Sequence, residues 1–218
     1  MSEQRPVRAV LWDFGGVILT SPFEAFARYE REMGLPKDFI RRLNSSNPHE
    51  NAWARLERGD VDIDGFAELF EAEAQALGHR LDARAVIDLL SGDVRPEMVA
   101  ALQAVRGRYR TACLTNNVRR GSGPGMARSP EKAAQIAEIM RLFDEVVESS
   151  RIGVRKPEPR FYEIACERLG VRPEESVFLD DLGINLKPAR AMGMRTIKVE
   201  DPGQAIAELE AVLGHKLR

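Results

Sequence analysis

Hydrophobic and polar positions along the chain follow two different rhythms. From about residue 90 onward, short apolar runs alternate with segments whose apolar residues recur every three or four positions. Arg110–Leu114, Glu145–Val147, Ser176–Leu179 and Arg195–Val199 are predicted strands. Between them, helices are predicted at Val94–Gly107 (Met98, Leu102 and Val105 at helical spacing), Glu131–Leu142 (Ile136, Ile139, Met140) and Pro159–Leu169 (Phe161, Ile164, Ala165, Leu169). Two more follow at Asn185–Met192, with Pro188 tolerated in the first turn, and Gly203–Leu213. A fifth apolar run, Arg8–Trp12, opens the chain as a further strand. Strands alternating with helices predict an α/β fold, a three-layer doubly wound parallel sheet.

Residues 20–90 break that rhythm, with almost no β-branched runs. Phe23–Met33, Ala52–Arg58, Ile63–Leu77 and Ala83–Leu90 each read as an amphipathic helix. In the third, Phe66, Leu69, Phe70, Ala74 and Leu77 make one apolar stripe, which reads as packing. The expected organisation is therefore a core of residues 1–19 and 91–218, with a helical cap of residues 20–90 inserted after the first strand. A cap there stands over the carboxyl edge of the sheet, where it can act as a lid or set specificity.

Composition narrows the function classes. Lys+Arg 32 against Asp+Glu 34 leaves a net charge of −2, which offers no electrostatic case for nucleic acid or an anionic membrane. No apolar run approaches the roughly 18 residues of a membrane span. Asp13 interrupts the first apolar stretch too early for a signal peptide. Cys113 and Cys166 are isolated, so the reading is a cytoplasmic protein without a disulfide framework, and Cys113 within an apolar strand reads as a core residue. His49, His79 and His215 are scattered and read as surface residues rather than ligands. The Gly-rich stretch 119–126 is not followed by the Gly-Lys-Ser/Thr of a phosphate loop and reads as a flexible surface connection.

The chemistry gathers at strand ends. Asp13-Phe14-Gly15-Gly16-Val17 ends the first strand, Thr115-Asn116 the second, and Asp180-Asp181 the fourth; Lys156 lies in the loop after the third. In a doubly wound sheet these ends share one side, so residues distant in sequence can converge. Three converging carboxylates repel one another unless cations intervene. Oxygen ligands without His or Cys indicate a hard ion, Mg2+. With a lysine and hydroxyl or amide donors beside it, such a site suits a phosphoryl group. Asp13 can then bind metal only, or attack phosphorus and become an aspartyl-phosphate.

This set, in this order, resembles the haloacid dehalogenase superfamily, chiefly Mg2+-dependent phosphohydrolases, over nearly the whole chain. The stretch from Gly153 to Val199 is similar to the phosphatase-type N-terminal domains of bifunctional soluble epoxide hydrolases and of certain acyl-CoA dehydrogenases. The helical insert resembles a type C1 cap of that superfamily. The resemblance implies Asp13 as nucleophile and metal ligand, the Gly15 carbonyl as another ligand, and Asp181 as the acidic ligand of the last motif. It implies Thr115, Asn116 and Lys156 around the phosphoryl group, with Asp180 in support and Asn185 where many members place a further acid.

The chain departs from that pattern at Gly15. Most phosphatases of the superfamily carry an aspartate there, as general acid for the leaving group and then base for water. Loss of such a group typically costs ~10²–10⁴ in rate. A good leaving group, such as a sugar 1-phosphate or acyl phosphate, or a proton donor from the cap or water, would account for the glycine. The expectation is a phosphatase acting on a small phosphorylated molecule, as monomer or homodimer. The competing readings are a metal-independent haloacid dehalogenase, against which the Asp180-Asp181 pair argues, and a weakly catalytic phosphate-binding or interaction module of the receiver kind, in which the acid pair would come from the first strand.

Overall fold

The computed structural model describes residues 5–118 and 129–217. Among them, five strands form one sheet: β1 Ala9–Trp12, β2 Arg110–Thr115, β3 Glu145–Glu148, β4 Ser176–Asp180 and β5 Arg195–Lys198. Their order is β3-β2-β1-β4-β5 and every pairing is parallel. β1 is central and buried on both faces. Val10 and Trp12 enter one apolar layer, Ala9 and Leu11 the other, as the two-residue period of a strand requires. Helices α6 Pro96–Val105, α7 Pro130–Met140 and α11 Pro202–Leu213 close the first layer. Helices α9 Pro159–Leu169 and α10 Gly183–Ala191 close the second. The fold is the expected α/β three-layer architecture.

Five helices lie between β1 and α6: α1 Phe23–Glu32, α2 Phe39–Ser45, α3 Ala52–Arg58, α4 Ile63–Ala76 and α5 Ala83–Asp88. They pack round an apolar cluster of their own, with Trp53, Phe66 and Phe70 as its aromatic centre and Val118 reaching in from beyond β2. The segments entering and leaving this group run side by side, Leu19 bridging Val94 and the Thr20 N–H donating to the Asp93 carbonyl.

The sequence pattern misses α2 and the single turn α8 Ser149–Ile152. The reason at α2 is non-local. Its N-cap, Asp38, has φ 58° and makes no side-chain cap. Instead the buried Glu30 carboxylate of α1 accepts the N–H groups of Asp38 and Ile40, both at 2.9 Å. Leu77, expected in the apolar stripe of α4, lies past the helix end and is 56% exposed. The Gly-rich connection at 119–126 lies outside the described residues. No helix among the described residues is long and apolar enough to cross a membrane.

Candidate active site

The sheet places Asp13 and Asp180 at the carboxyl ends of the adjacent strands β1 and β4. The Asp13 N–H still donates to the Leu179 carbonyl, one step beyond the ladder. The chain then leaves β1 in a wide turn, Phe14–Ile18, whose first N–H is capped by Asp13 Oδ1 at 2.6 Å. Gly16 sits in this turn at φ +81°, and a Cβ there would lie 2.2 Å from Asp181 Oδ2. Only glycine meets both conditions, so Gly16 is what lets Asp181 close down on the turn. Each of Asp13, Asp180 and Asp181 offers one carboxylate oxygen, and these oxygens all lie within 4.8 Å of one another.

Lys156 threads into this cluster from the loop after α8. Its Nζ is 2.7 Å from Asp13 Oδ1 and 2.8 Å from Asp180 Oδ2, its side chain is 1% exposed, and the ring of Phe178 lies 5.6 Å away. Burial alone would push its pKa down, but the two carboxylates outweigh burial and hold it above the ordinary lysine value.

The acids divide by their partners. Asp180 is fully buried and saturated: Lys156, the Leu182 N–H and the Asn185 amide all donate to its carboxylate, at 2.8–3.1 Å. Asn185 is held in turn by Tyr162, whose hydroxyl donates to the Asn185 carbonyl at 2.7 Å. Asp181 accepts one side-chain hydrogen bond, from Ser21 Oγ at 3.2 Å. Burial first, and then the Asp180 charge, push its pKa up to about 6. Asp13 is also pushed well above the usual carboxylate range, chiefly by burial, with Asp180 and Asp181 adding to the effect and Lys156 opposing it. Lys156 is one cation shared by Asp13 and Asp180, and Asp181 has no ion-pair partner among the described residues, so three carboxylates meet a single positive charge. An all-oxygen set with uncompensated carboxylates fits a hard divalent cation, with Asp13 and Asp181 its side-chain ligands.

Thr115 ends β2 beside Glu148 of β3 and is buried; its hydroxyl engages none of the described residues. The Asn116 side chain is committed elsewhere. Its oxygen accepts the Lys156 N–H at 2.8 Å, and its Nδ2 donates to the Lys156 carbonyl at 2.9 Å and to Glu57 of α3 at 3.0 Å. This amide therefore braces the lysine segment, leaving the Asn116 backbone for any phosphoryl contact. Gly15 lines no crowded spot: a Cβ there would meet no atom within 4 Å, and its φ of −70° suits any residue.

Glu57 of α3 reaches from the inserted helices to the core. Besides Asn116 it accepts Arg155 Nε at 2.6 Å, and Arg155 also donates to the Pro48 carbonyl at 3.0 Å. Arg58 stays at the surface with Asp60, and Trp53 is cap packing. Ser21 and Arg155 carry no sequence signal of their own beyond adjacency to the first motif's turn and to Lys156. The cysteines are unpaired and buried, and burial pushes the Cys113 thiol well up. His79 packs on the ring of Phe39, and His215 pairs with Tyr109.

A family model for haloacid dehalogenase-like hydrolases matches residues 7–193. Acyl-CoA dehydrogenase family member 10 of Mus musculus is 33% identical over 222 residues, covering 99% of this chain and 20% of the relative. Bifunctional epoxide hydrolase 2 of Sus scrofa is 32% identical over 223 residues, covering 97% of this chain and 40% of the relative. The chain thus spans a fifth to two fifths of these relatives. Further curated relatives divide between phosphatases and (S)-2-haloacid dehalogenases. Among solved structures, a haloacid dehalogenase-family enzyme of Bacteroides thetaiotaomicron in complex with magnesium and inorganic phosphate has the same fold. Its TM-score is 0.59 at 18% identity, over 93% of this chain and 98% of that one.

Proposed function

This chain belongs to the family of haloacid dehalogenase-like hydrolases, and from that premise we propose that it is a Mg2+-dependent hydrolase of small phosphate monoesters acting through a phosphorylated Asp13. The observation that carries the reading is the acid pair. Lys156 is shared by Asp13 and Asp180 and no cation pairs with Asp181 among the described residues, so a dication would complete the set, where a dehalogenase would need none. The magnesium and phosphate held by the Bacteroides relative support the same assignment.

Asp13 Oδ1 is pinned by the Phe14 N–H and Lys156, while Oδ2 accepts no hydrogen bond from the described residues and is left for the ligands. A carboxylate oxygen of Asp13 attacks phosphorus, and the ester P–O bond breaks with its electron pair leaving on the alcohol oxygen, which takes a proton from water. Water then attacks the phosphorus, its proton passing through solvent to the hydroxide left by the first step, the bond to Asp13 breaks, and inorganic phosphate and the free carboxylate are released. Asp13, the Gly15 carbonyl and Asp181 would hold Mg2+, which supplies positive charge for the phosphoryl oxygens. Lys156 supplies a second, fixed charge, and the Thr115 hydroxyl and Asn116 backbone donate to the transferring group.

The test is phosphate release from a panel of sugar, acyl and alkyl phosphates with Mg2+. Turnover that vanishes in Asp13→Asn is expected; no difference between that variant and the wild type removes the reading. Haloacid dehalogenase relatives favour one alternative, attack of Asp13 on carbon. Halide release from a 2-haloacid in EDTA is its readout.

A further inference from the structure

A cleft of about 320 Å³ adjoins the acid cluster, and Asp181 forms part of its wall. Its size suits the smaller end of ligand pockets. On the side of Lys156 and Asp180, which are 1% and 0% exposed, Glu57, Arg155 and Asn116 tie the inserted helices to the core. Asp181 belongs to both the acid cluster and this cleft, and Gly16 of the turn after Asp13 also lines it.

The cleft carries three cations against two carboxylates. Arg41 of α2, Arg95 before α6 and Lys198 of β5 line it, against Asp181 and Glu200. Lys198 is matched by Glu200 at 2.9 Å. Asp181 belongs to the metal cluster. Arg95 spends one N–H on the Gly16 carbonyl at 3.0 Å. The Arg41 guanidinium rests over the ring of Phe23, 5.4 Å from its centroid. Neither arginine has a carboxylate partner among the described residues. A guanidinium supported by a ring face keeps its N–H edge for a planar or tetrahedral anion. Two such groups, one from the inserted helices and one from the core, converge on a cleft that shares Asp181 with the acid cluster.

Resting on the phosphatase reading, we propose that this cleft binds the leaving group, and that the preferred substrates are phosphate monoesters whose leaving group carries a second anion, a carboxylate or a second phosphate, which Arg41 and Arg95 engage. Because Arg41 comes from the inserted helices and Arg95 from the core, discrimination comes from both sides of the cleft.

Three esters of equal reach test this with Mg2+: propyl phosphate, the phosphate ester of hydroxypropionate, and propanediol bisphosphate. One charged ester, or both, should exceed propyl phosphate in kcat/KM by about tenfold or more, the worth of one good charge-assisted hydrogen bond. The larger of the two ratios identifies the anion. Arg41→Met and Arg95→Met should bring the ratio towards unity, and Arg41→Lys, which keeps the charge but loses the fork, should fall between. Thermal melting of each variant separates misfolding from lost recognition. Equal kcat/KM for all three esters, or ratios indifferent to both Met substitutions, overturns the inference while leaving the phosphatase reading intact. No Asp13-dependent phosphate release from any ester overturns both.

Discussion

Gly15 and Gly16 lack side chains for opposite reasons, and the difference can be measured. At Gly16 a methyl group would strike Asp181 and the backbone is left-handed. Gly16→Ala should push Asp181 off the cluster and weaken Mg2+ binding by about tenfold or more, read by titration calorimetry, as losses behind a metal site commonly do. At Gly15 the space is open and the conformation ordinary, so Gly15→Asp should fold with a melting temperature close to the wild type. If leaving-group protonation limits the rate, that carboxylate should raise kcat on alkyl phosphates up to ~10²-fold, the lower range of acid–base catalysis, with little effect on acyl phosphates. Unchanged turnover on both would mean that the proton already has another donor. Lys156 makes a third case. Lys156→Met strands Asp13 and Asp180 without their cation, which costs about 3–5 kcal/mol where a buried pair loses one partner. Asp13, already raised by burial, then holds its proton still more tightly when folded than unfolded, so the deficit should shrink as pH falls in denaturant melts.

Whole helices and strands were legible where their own residues decide them. β1 through β5 and helices such as α4 and α9 follow from periods of two and of three to four, because the sheet and its covering layers bury each segment by its own pattern. α2 was not legible, since its N-terminus is capped by Glu30 from another helix. The same limit explains Glu57: its position on α3 predicts a solvated charge, and only the fold brings Arg155 and Asn116 to it. Glu57 ties the inserted helices to Asn116, which braces the Lys156 backbone, and to Arg155 beside it, so it is a positioning residue with a specific signature. Glu57→Ala should lower kcat, through a misplaced Lys156, and make the segments at 19–22 and 91–95 more open to limited proteolysis. Glu57→Gln, which keeps an acceptor for Asn116, should recover part of kcat. A change in KM alone, with unaltered proteolysis, would contradict a role through Lys156.

At the scale of the molecule, strand-end residues were readable because a parallel sheet delivers every carboxyl end to one side, whatever the sequence distance. What the sequence could not express was how charge is shared once they meet. One lysine serves both Asp13 and Asp180, the Asn185 amide serves Asp180, and Asp181 has neither. That imbalance makes the whole fold sensitive to pH and metal together. Asp181 is raised to about 6 in the metal-free protein. A carboxylate with a raised folded pKa favours the folded state at low pH, and that contribution is lost as pH climbs from the unfolded value, about 4, through 6. Above that range the metal-free protein carries unrelieved repulsion, which a dication at Asp13 and Asp181 removes. Below it, protons compete with the ion, and affinity should fall about tenfold for each pH unit per proton displaced. Saturating Mg2+, at about 100 times its dissociation constant, should stabilise the protein by roughly 2.7 kcal/mol. For a chain of this length that is a rise of roughly 5–10 °C in Tm at about pH 8. The same addition at about pH 5 should shift Tm by a small fraction of this. In Asp181→Asn the dependence on both Mg2+ and pH should flatten, whereas a shift of equal size at both pH values would place the ion somewhere other than on these acids.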